Sequence, residues 1–411
     1  MRRVSWTRNI FIGAAFLTLI VGLGLGQLVF QKSAAAQAGN TVQAPRFEVD
    51  PFWPKPLPNQ WVLGSTIGVN VDAQDNVWIL HRGDAVDNNL KAAAVNPPVG
   101  TCCVPAPAVI QFDKAGNFKQ AWGGPGYPNL GYEWLEGQHG IRIDPKGNVW
   151  LGSNDNMDSR VLKLSQQGKL LLQLGTKGLP DSGSLDQKNL GRPTNSWVDV
   201  AANEVYVSDG YGNRRVIVFD ADTGAFKRLW GAYGNKPDDA KWTYNPAAPP
   251  PQQFGNPVHC VVIAKDGLVY VCDRSVDRLQ VFQKNGTFVK EKFIAPKTQR
   301  SGAVWDIALS RDPNETYLYV ADGVNERVYV LNRDTLEVLT SFGSGGRHPG
   351  QFYGVHNLAT DSAGNLYTTE TYNGARVQKF VFRGVGAVPR QDQNFGPGSA
   401  QGTPWPAGVP R

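Results

Sequence analysis

The feature that most constrains this 411-residue chain is that it repeats itself six times. Each unit is a short apolar strand, a turn rich in Asp, Asn and Gly, and a second β-rich strand. The units are GVNVDAQDNVWIL (68–80), GIRIDPKGNVWLG (140–152), VDVAANEVYVSD (198–209), CVVIAKDGLVYVCD (260–273), DIALSRDPNETYLYVAD (306–322) and NLATDSAGNLYTTE (357–370). Most continue into a third strand with Arg before an apolar pair, as in RRVIVF and ERVYVL, and several into a fourth. Short strands separated by turn signals at a fixed period specify four-stranded blades, and radial repetition removes long exposed edges. The expected fold is an all-β, six-bladed β-propeller over residues 61–385. A Pro-rich lead-in (39–60) precedes it, and a Gly/Pro-rich, disordered tail (386–411) follows it.

The first 38 residues have a different composition. Arg2, Arg3 and Arg8 precede an uncharged apolar run at 10–30, and Ala36-Gln37-Ala38 fits a small-residue cleavage site. Such a segment is a signal peptide or, because the run is long enough to cross a bilayer, an N-terminal membrane anchor. Both place the body outside the cytoplasm, in the periplasm or the extracellular space. Four of the chain's basic residues and none of its acids lie in this segment, so the formal charge of +6 falls to +2 for the body. No basic run remains there, which excludes a nucleic-acid partner. Contact with membrane is expected only through the N-terminal segment, and the body is read as a monomer.

Arg160, Arg215, Arg278, Arg327 and Arg376 occupy one phase of the repeat in five blades. A ring of anion-binding groups is one reading; structural bracing is favoured, because blade architecture needs the same group in every unit and a binding site rarely does. The histidines behave differently. Of five, three (His139, His259 and His356) stand just before the first strand of repeats two, four and six. The first strand of each blade lines the central channel, so alternate blades aim three imidazoles at one spot from three sides. That is the donor set of a catalytic zinc site with open positions. Repeats one and five carry Ile67 and Trp305 at this phase, so the repeat itself does not demand histidine. His348, in an inter-blade loop, and His81, at a strand end, are not expected to be ligands.

Three further residues map near that mouth. Arg82 in LHRGD and Arg274 in VCDRSVDR follow inner hairpins, and Arg274 is additional to the in-phase Arg278. Two guanidinium groups beside a metal suit a carboxylate-bearing substrate. Tyr211 in SDGYGNRR is either a general base activated by the neighbouring positive charge or an aromatic packed on the blade top.

Taken together, HRGD, QHGIRID with its following GNVW, PTNSWVDVAANEVYVSDGYGNRRVIVF, the His259 strand leading to CDRSVDRLQVF, and the His356 strand resemble the peptidyl-alpha-hydroxyglycine alpha-amidating lyase family of NHL-repeat propellers over residues 60 to 383. The resemblance implies a zinc-dependent carbon–nitrogen lyase that cleaves a carbinolamide, of peptidyl- or N-acyl-alpha-hydroxyglycine type, to an amide and glyoxylate. It further implies zinc on His139, His259 and His356, Tyr211 as base, and Arg82 and Arg274 as substrate-positioning groups. The family's structural calcium would correspond to the carbonyls of Val69 and Ile141 with Asn357, an amide where the family has an acid and hence a weaker ligand. Gly354 stands where the family has methionine near the metal, and Gly212 where animal members have cysteine.

Cys260 and Cys272 flank the KDG turn symmetrically and are expected to face each other across a hairpin, as a disulfide or as two packed thiols. The vicinal Cys102-Cys103 lies in a Pro-rich loop, where an insertion-tip role is favoured over metal ligation. Two other functions remain open at this stage: a metal-dependent hydrolase or lactonase on the same fold, and a non-catalytic propeller that binds a protein or glycan.

Overall fold

The computed structural model describes residues 41–178 and 182–390. The expected signal or anchor segment at 1–38 lies outside the described residues, as does the tail from 391 onward. Within them the chain forms six four-stranded antiparallel sheets around a central channel. The innermost strands are Ser65–Val71, Gln138–Ile143, Pro193–Asp199, Val258–Ile263, Asp306–Leu309 and Val355–Thr360, in the order the repeats predict.

The repeated turn has a concrete cause. In blade two, Asp144 accepts hydrogen bonds from the backbone N–H of Lys146 and Asn148, from the Asn148 amide and from Trp150 Nε1. Asp72 with Asn76 and Trp78, and Asp361 with Asn365 and Tyr367, repeat the arrangement. One aspartate therefore closes the hairpin and fixes the aromatic beneath it, which is why the D–N–W/Y spacing recurs in the sequence. The core is divided in the same way. Each of six buried clusters straddles two neighbouring blades: Trp78 and Leu80 with Ile141 and Leu151, for example, or Cys260 and Leu279 with Ile307 and Leu318. Blade six packs on blade one through Tyr367 and Val377 against Val69 and Ile79, so the ring is closed.

The domain boundaries need correction at both ends. The lead-in is not a mere connector, because Thr41–Asp50 is a strand that pairs with Arg376–Pro389 along its whole length, from Thr41 opposite Pro389 to Asp50 opposite Lys379. It forms the outer edge of blade six. Pro45 is tolerated there because an edge strand has no partner on one side, and a register shift follows it between Pro45 and Phe47. Ala44 is fully buried, and the Phe47 ring lies 5.4 Å from Tyr319 and 5.5 Å from Phe342. Residues 386–389, expected in the tail, belong to the same strand pair.

Candidate metal centre

The histidine mouth is built by an irregularity common to the blades. In five of the six, the pairing of the inner strand with its neighbour shifts register at the histidine phase: between Thr66 and Gly68, His139 and Ile141, Pro193 and Asn195, Val258 and Cys260, and Val355 and Leu358. A bulge bends the strand and re-aims a side chain, and here it turns His259 and His356 out of the sheet alternation toward the axis. Blade two uses Gly140, at φ +69°; a Cβ there would stand 2.4 Å from the Thr194 carbonyl oxygen, so only glycine fits.

The three imidazoles meet as the sequence predicts. Ring centroids are 5.0 Å apart for His139 and His259, 5.0 Å for His139 and His356, and 4.9 Å for His259 and His356. One nitrogen of each lies within 4.8 Å of the others, within reach of a single ion. The opposite nitrogen of each ring is held from behind. His139 Nδ1 faces the Thr194 carbonyl at 3.0 Å, His259 Nδ1 the Trp305 carbonyl, and His356 Nδ1 the Asn357 side-chain oxygen. A carbonyl oxygen can only accept, so Nδ1 carries the proton and Nε2 keeps its lone pair. Nε2 of His139 and of His259 is buried with no hydrogen-bond partner among the described residues.

Electrostatics point the same way. Burial pushes all three imidazoles below the usual histidine range, His356 to about 3; the Arg274 guanidinium adds to the shift of all three, and that of Arg82 to the shifts of His139 and His356. The cluster is therefore neutral at neutral pH, with buried lone pairs converging on one point. Such a donor set fits a divalent metal of the zinc type.

Tyr211, Arg82 and Arg274 are brought to this mouth. The Tyr211 ring lies 5.5 Å from His139 and 5.9 Å from His259, so it packs on the site rather than on a remote blade top. Arg274 donates to the Tyr211 hydroxyl at 2.9 Å and lies 4.6 Å over the Trp305 ring. Arg82 donates to the carbonyls of Gln138 and Gly137 and to the Asn154 side chain, which ties blade one to the backbone just before His139. Neither arginine has a carboxylate partner among the described residues.

Sequence reasoning missed three contributors. Trp305 is both wall and second support, and Thr194 acts through its carbonyl, which leaves no mark in a sequence. The third is Asp306, whose carboxylate accepts from the Asn357 amide and from Leu358 N, forming a chain from Asp306 through Asn357 to His356. The Asn357 oxygen is thus engaged by His356. Val69 and Ile141 lie on adjoining inner strands, since a Cβ on Gly68 would stand 2.9 Å from Ile141 N. Gly354 has φ +79°, so its backbone favours glycine whatever space the pocket offers.

Four in-phase arginines brace their blades through ion pairs: Arg160 to Asp158 at 2.7 Å, Arg215 to Asp209 at 2.9 Å, Arg278 to Asp273 at 2.7 Å and Arg376 to Glu370 at 2.7 Å. Arg327 departs from the pattern: among the described residues it forms no ion pair and donates to Ser341 Oγ at 3.4 Å. His81 is buried with both ring nitrogens engaged, by Gly64 N and the Pro107 carbonyl, and His348 is exposed. Cys260 and Cys272 are cross-strand partners joined as a disulfide. Cys102 and Cys103 are bonded to each other in their loop.

Fold and site together define a six-bladed propeller with a three-histidine cluster at one mouth. No family model matches the chain. Its curated relatives include amidating enzymes and NHL-repeat proteins. It is 27% identical over 329 residues to Peptidyl-glycine alpha-amidating monooxygenase of Mus musculus, covering 77% of this chain and 30% of that protein. It is 27% identical over 359 residues to Peptidyl-alpha-hydroxyglycine alpha-amidating lyase 1 of Drosophila melanogaster, covering 81% and 59%. NHL repeat-containing protein 3 of Mus musculus is 26% identical over 313 residues, covering 74% and 72%. The chain thus spans about a third of the length of the monooxygenase it matches. Along the propeller it is similar to the amidating lyases and to NHL-repeat proteins, as the motifs imply.

Proposed function

We propose that the protein is a zinc-dependent lyase that cleaves a carbinolamide of alpha-hydroxyglycine type to an amide and glyoxylate. The observation that carries the reading is the convergence of three neutral imidazoles beside the Tyr211–Arg274 hydrogen bond. His139, His259 and His356 would hold the zinc through Nε2, and the metal would supply Lewis-acid polarisation of the substrate hydroxyl. Arg82 and Arg274 bind the substrate carboxylate and orient it. Tyr211, its oxygen held by the Arg274 guanidinium, accepts the hydroxyl proton. The electron pair of that O–H bond becomes the aldehyde C=O as the C–N bond breaks, and the proton passes to the leaving amide nitrogen. The positive mouth stabilises the charge that develops on oxygen.

The test is release of glyoxylate from a peptidyl-alpha-hydroxyglycine and from a small N-acyl analogue by the purified, zinc-loaded protein. Absence of glyoxylate from both, with zinc bound, overturns the reaction. It would favour a second reading, a non-catalytic propeller, which the similarity to NHL repeat-containing protein 3 supports. Calcium on the Val69 and Ile141 carbonyls with Asn357 is a separate proposal, decided by metal analysis of the same sample. Location outside the cytoplasm is proposed from the composition of residues 1–38; activity of a cytoplasmic reporter alone, fused at the C-terminus, would overturn it.

A further inference from the structure

The channel has a second opening, at the ends of the inner strands farthest from the histidines. A cavity of about 440 Å³ lies there, with Arg142, Trp197 and Arg311 on its wall. The Arg142 guanidinium carbon sits 3.3 Å from the Trp197 ring centroid, a cation held flat on an aromatic face. Its Nε is buried with no hydrogen-bond partner, and among the described residues the guanidinium makes neither an ion pair nor a hydrogen bond.

The acids nearby do not pair with it. Asp144 closes its own turn, and Asp306 holds Asn357 and Leu358 through Oδ2 while its Oδ1 is buried without a hydrogen-bond partner; both carboxylates act on Arg142 only from beyond ion-pair distance. On the cavity wall, Asp199 is paired with Lys284, and Glu315 accepts from Lys265 N. Arg311, near enough to Arg142 to repel it, spends two nitrogens on the Thr360 carbonyl and makes no ion pair among the described residues. Two guanidinium groups therefore line one cavity without an ion pair among the described residues. A cation with a buried nitrogen and no partner, as at Arg142, is costly, and the guanidinium fork matches an oxyanion in shape as well as charge.

We infer that this opening is a binding site for a small oxyanion, a carboxylate or a phosphate, held by Arg142 with Arg311 as the second cation. The site is independent of the histidine mouth and of the reaction proposed there. The apolar wall beside it, with Val71, Ile307 and Leu358, admits the short carbon skeleton of an organic acid.

Calorimetry on the full chain at low salt, with inorganic phosphate in one arm and oxalate in the other, tests this and separates the two chemistries. At least one anion should bind with one site per chain, more weakly as sodium chloride is raised. Arg142→Gln should weaken binding about tenfold or more, and Arg311→Gln, an exposed change that does not threaten folding, severalfold. Stripping metal with a chelator should leave binding unchanged. Three results overturn the inference: neither anion binds, binding survives both substitutions, or binding disappears with the metal, which would place the anion at the histidines.

Discussion

Arginine is used in two opposite ways in this molecule, at the blade hairpins and along the channel. At the hairpins, Arg160, Arg215, Arg278 and Arg376 each meet a carboxylate and also donate to backbone carbonyls of the inter-blade loop, such as Trp134, Asn189, Gln253 and Gln351. Along the channel, Arg82, Arg142 and Arg274 have no carboxylate partner among the described residues and lean on carbonyls or aromatic faces instead. Charge is neutralised where it holds blades together and left bare where a ligand would meet it. The difference separates residues whose loss should lower stability from those whose loss should lower binding or rate.

The sharpest way to break that division is at the histidine mouth. Tyr211→Phe should lower turnover of an alpha-hydroxyglycine substrate by about 10²–10⁴-fold, the usual cost of a missing general base, with zinc content and melting temperature unchanged. A fall in metal content instead would make Tyr211 structural. At the hairpins, Arg278→Ala leaves Asp273 buried without its partner. It should cost about 3–5 kcal/mol in urea unfolding, while the folded fraction keeps its zinc. Loss of zinc from folded protein would erase the distinction between the regions.

A titration probes burial without removing an arginine. Burial pushes His81 down to about 4 from the usual 6.5. The unfolded chain therefore takes up this proton first, so stability is full above pH 6.5 and declines as the pH falls toward 4, by about 3 kcal/mol at most. Unfolding midpoints at pH 7 and pH 4.5 should differ less in His81→Gln than in the native sequence; equal differences would mean that other groups set the acid limit. The smallest effect is expected at Arg327, in phase with the braces but lacking an acid. Arg327→Ala should change stability by about 1 kcal/mol or less, and a loss as large as that at Arg278 would show that the ion pairs are not what braces the blades.

The blades and the three histidines were legible in the sequence because each is periodic: a repeat fixes the blade, and a shared phase fixes a place on the ring. The bulges that aim the histidines were not, since they are one-residue shifts in pairing with no characteristic residue beyond Gly140. Nor were the supports of His139 and His259, which are backbone carbonyls. Arg142 reads as an ordinary charged residue in GIRID; only the packing of blade two against blade three sets it over Trp197. The strand at Thr41–Asp50 was hidden for a related reason, as it has no neighbour in sequence with which to form a hairpin.

That strand also sets the order in which the molecule can be completed. Its partner, Arg376–Pro389, is the last strand of the described chain to be synthesised. Until it emerges, Thr41–Asp50 lacks its backbone partners, and Phe47 lacks its contact with Phe382. A product terminated anywhere before residue 376 would carry an open ring with unpaired strand edges, the surface most prone to pair with another chain. The latch thereby distinguishes chains that reach residue 389 from shorter ones: only the former can pair the strand at Thr41–Asp50.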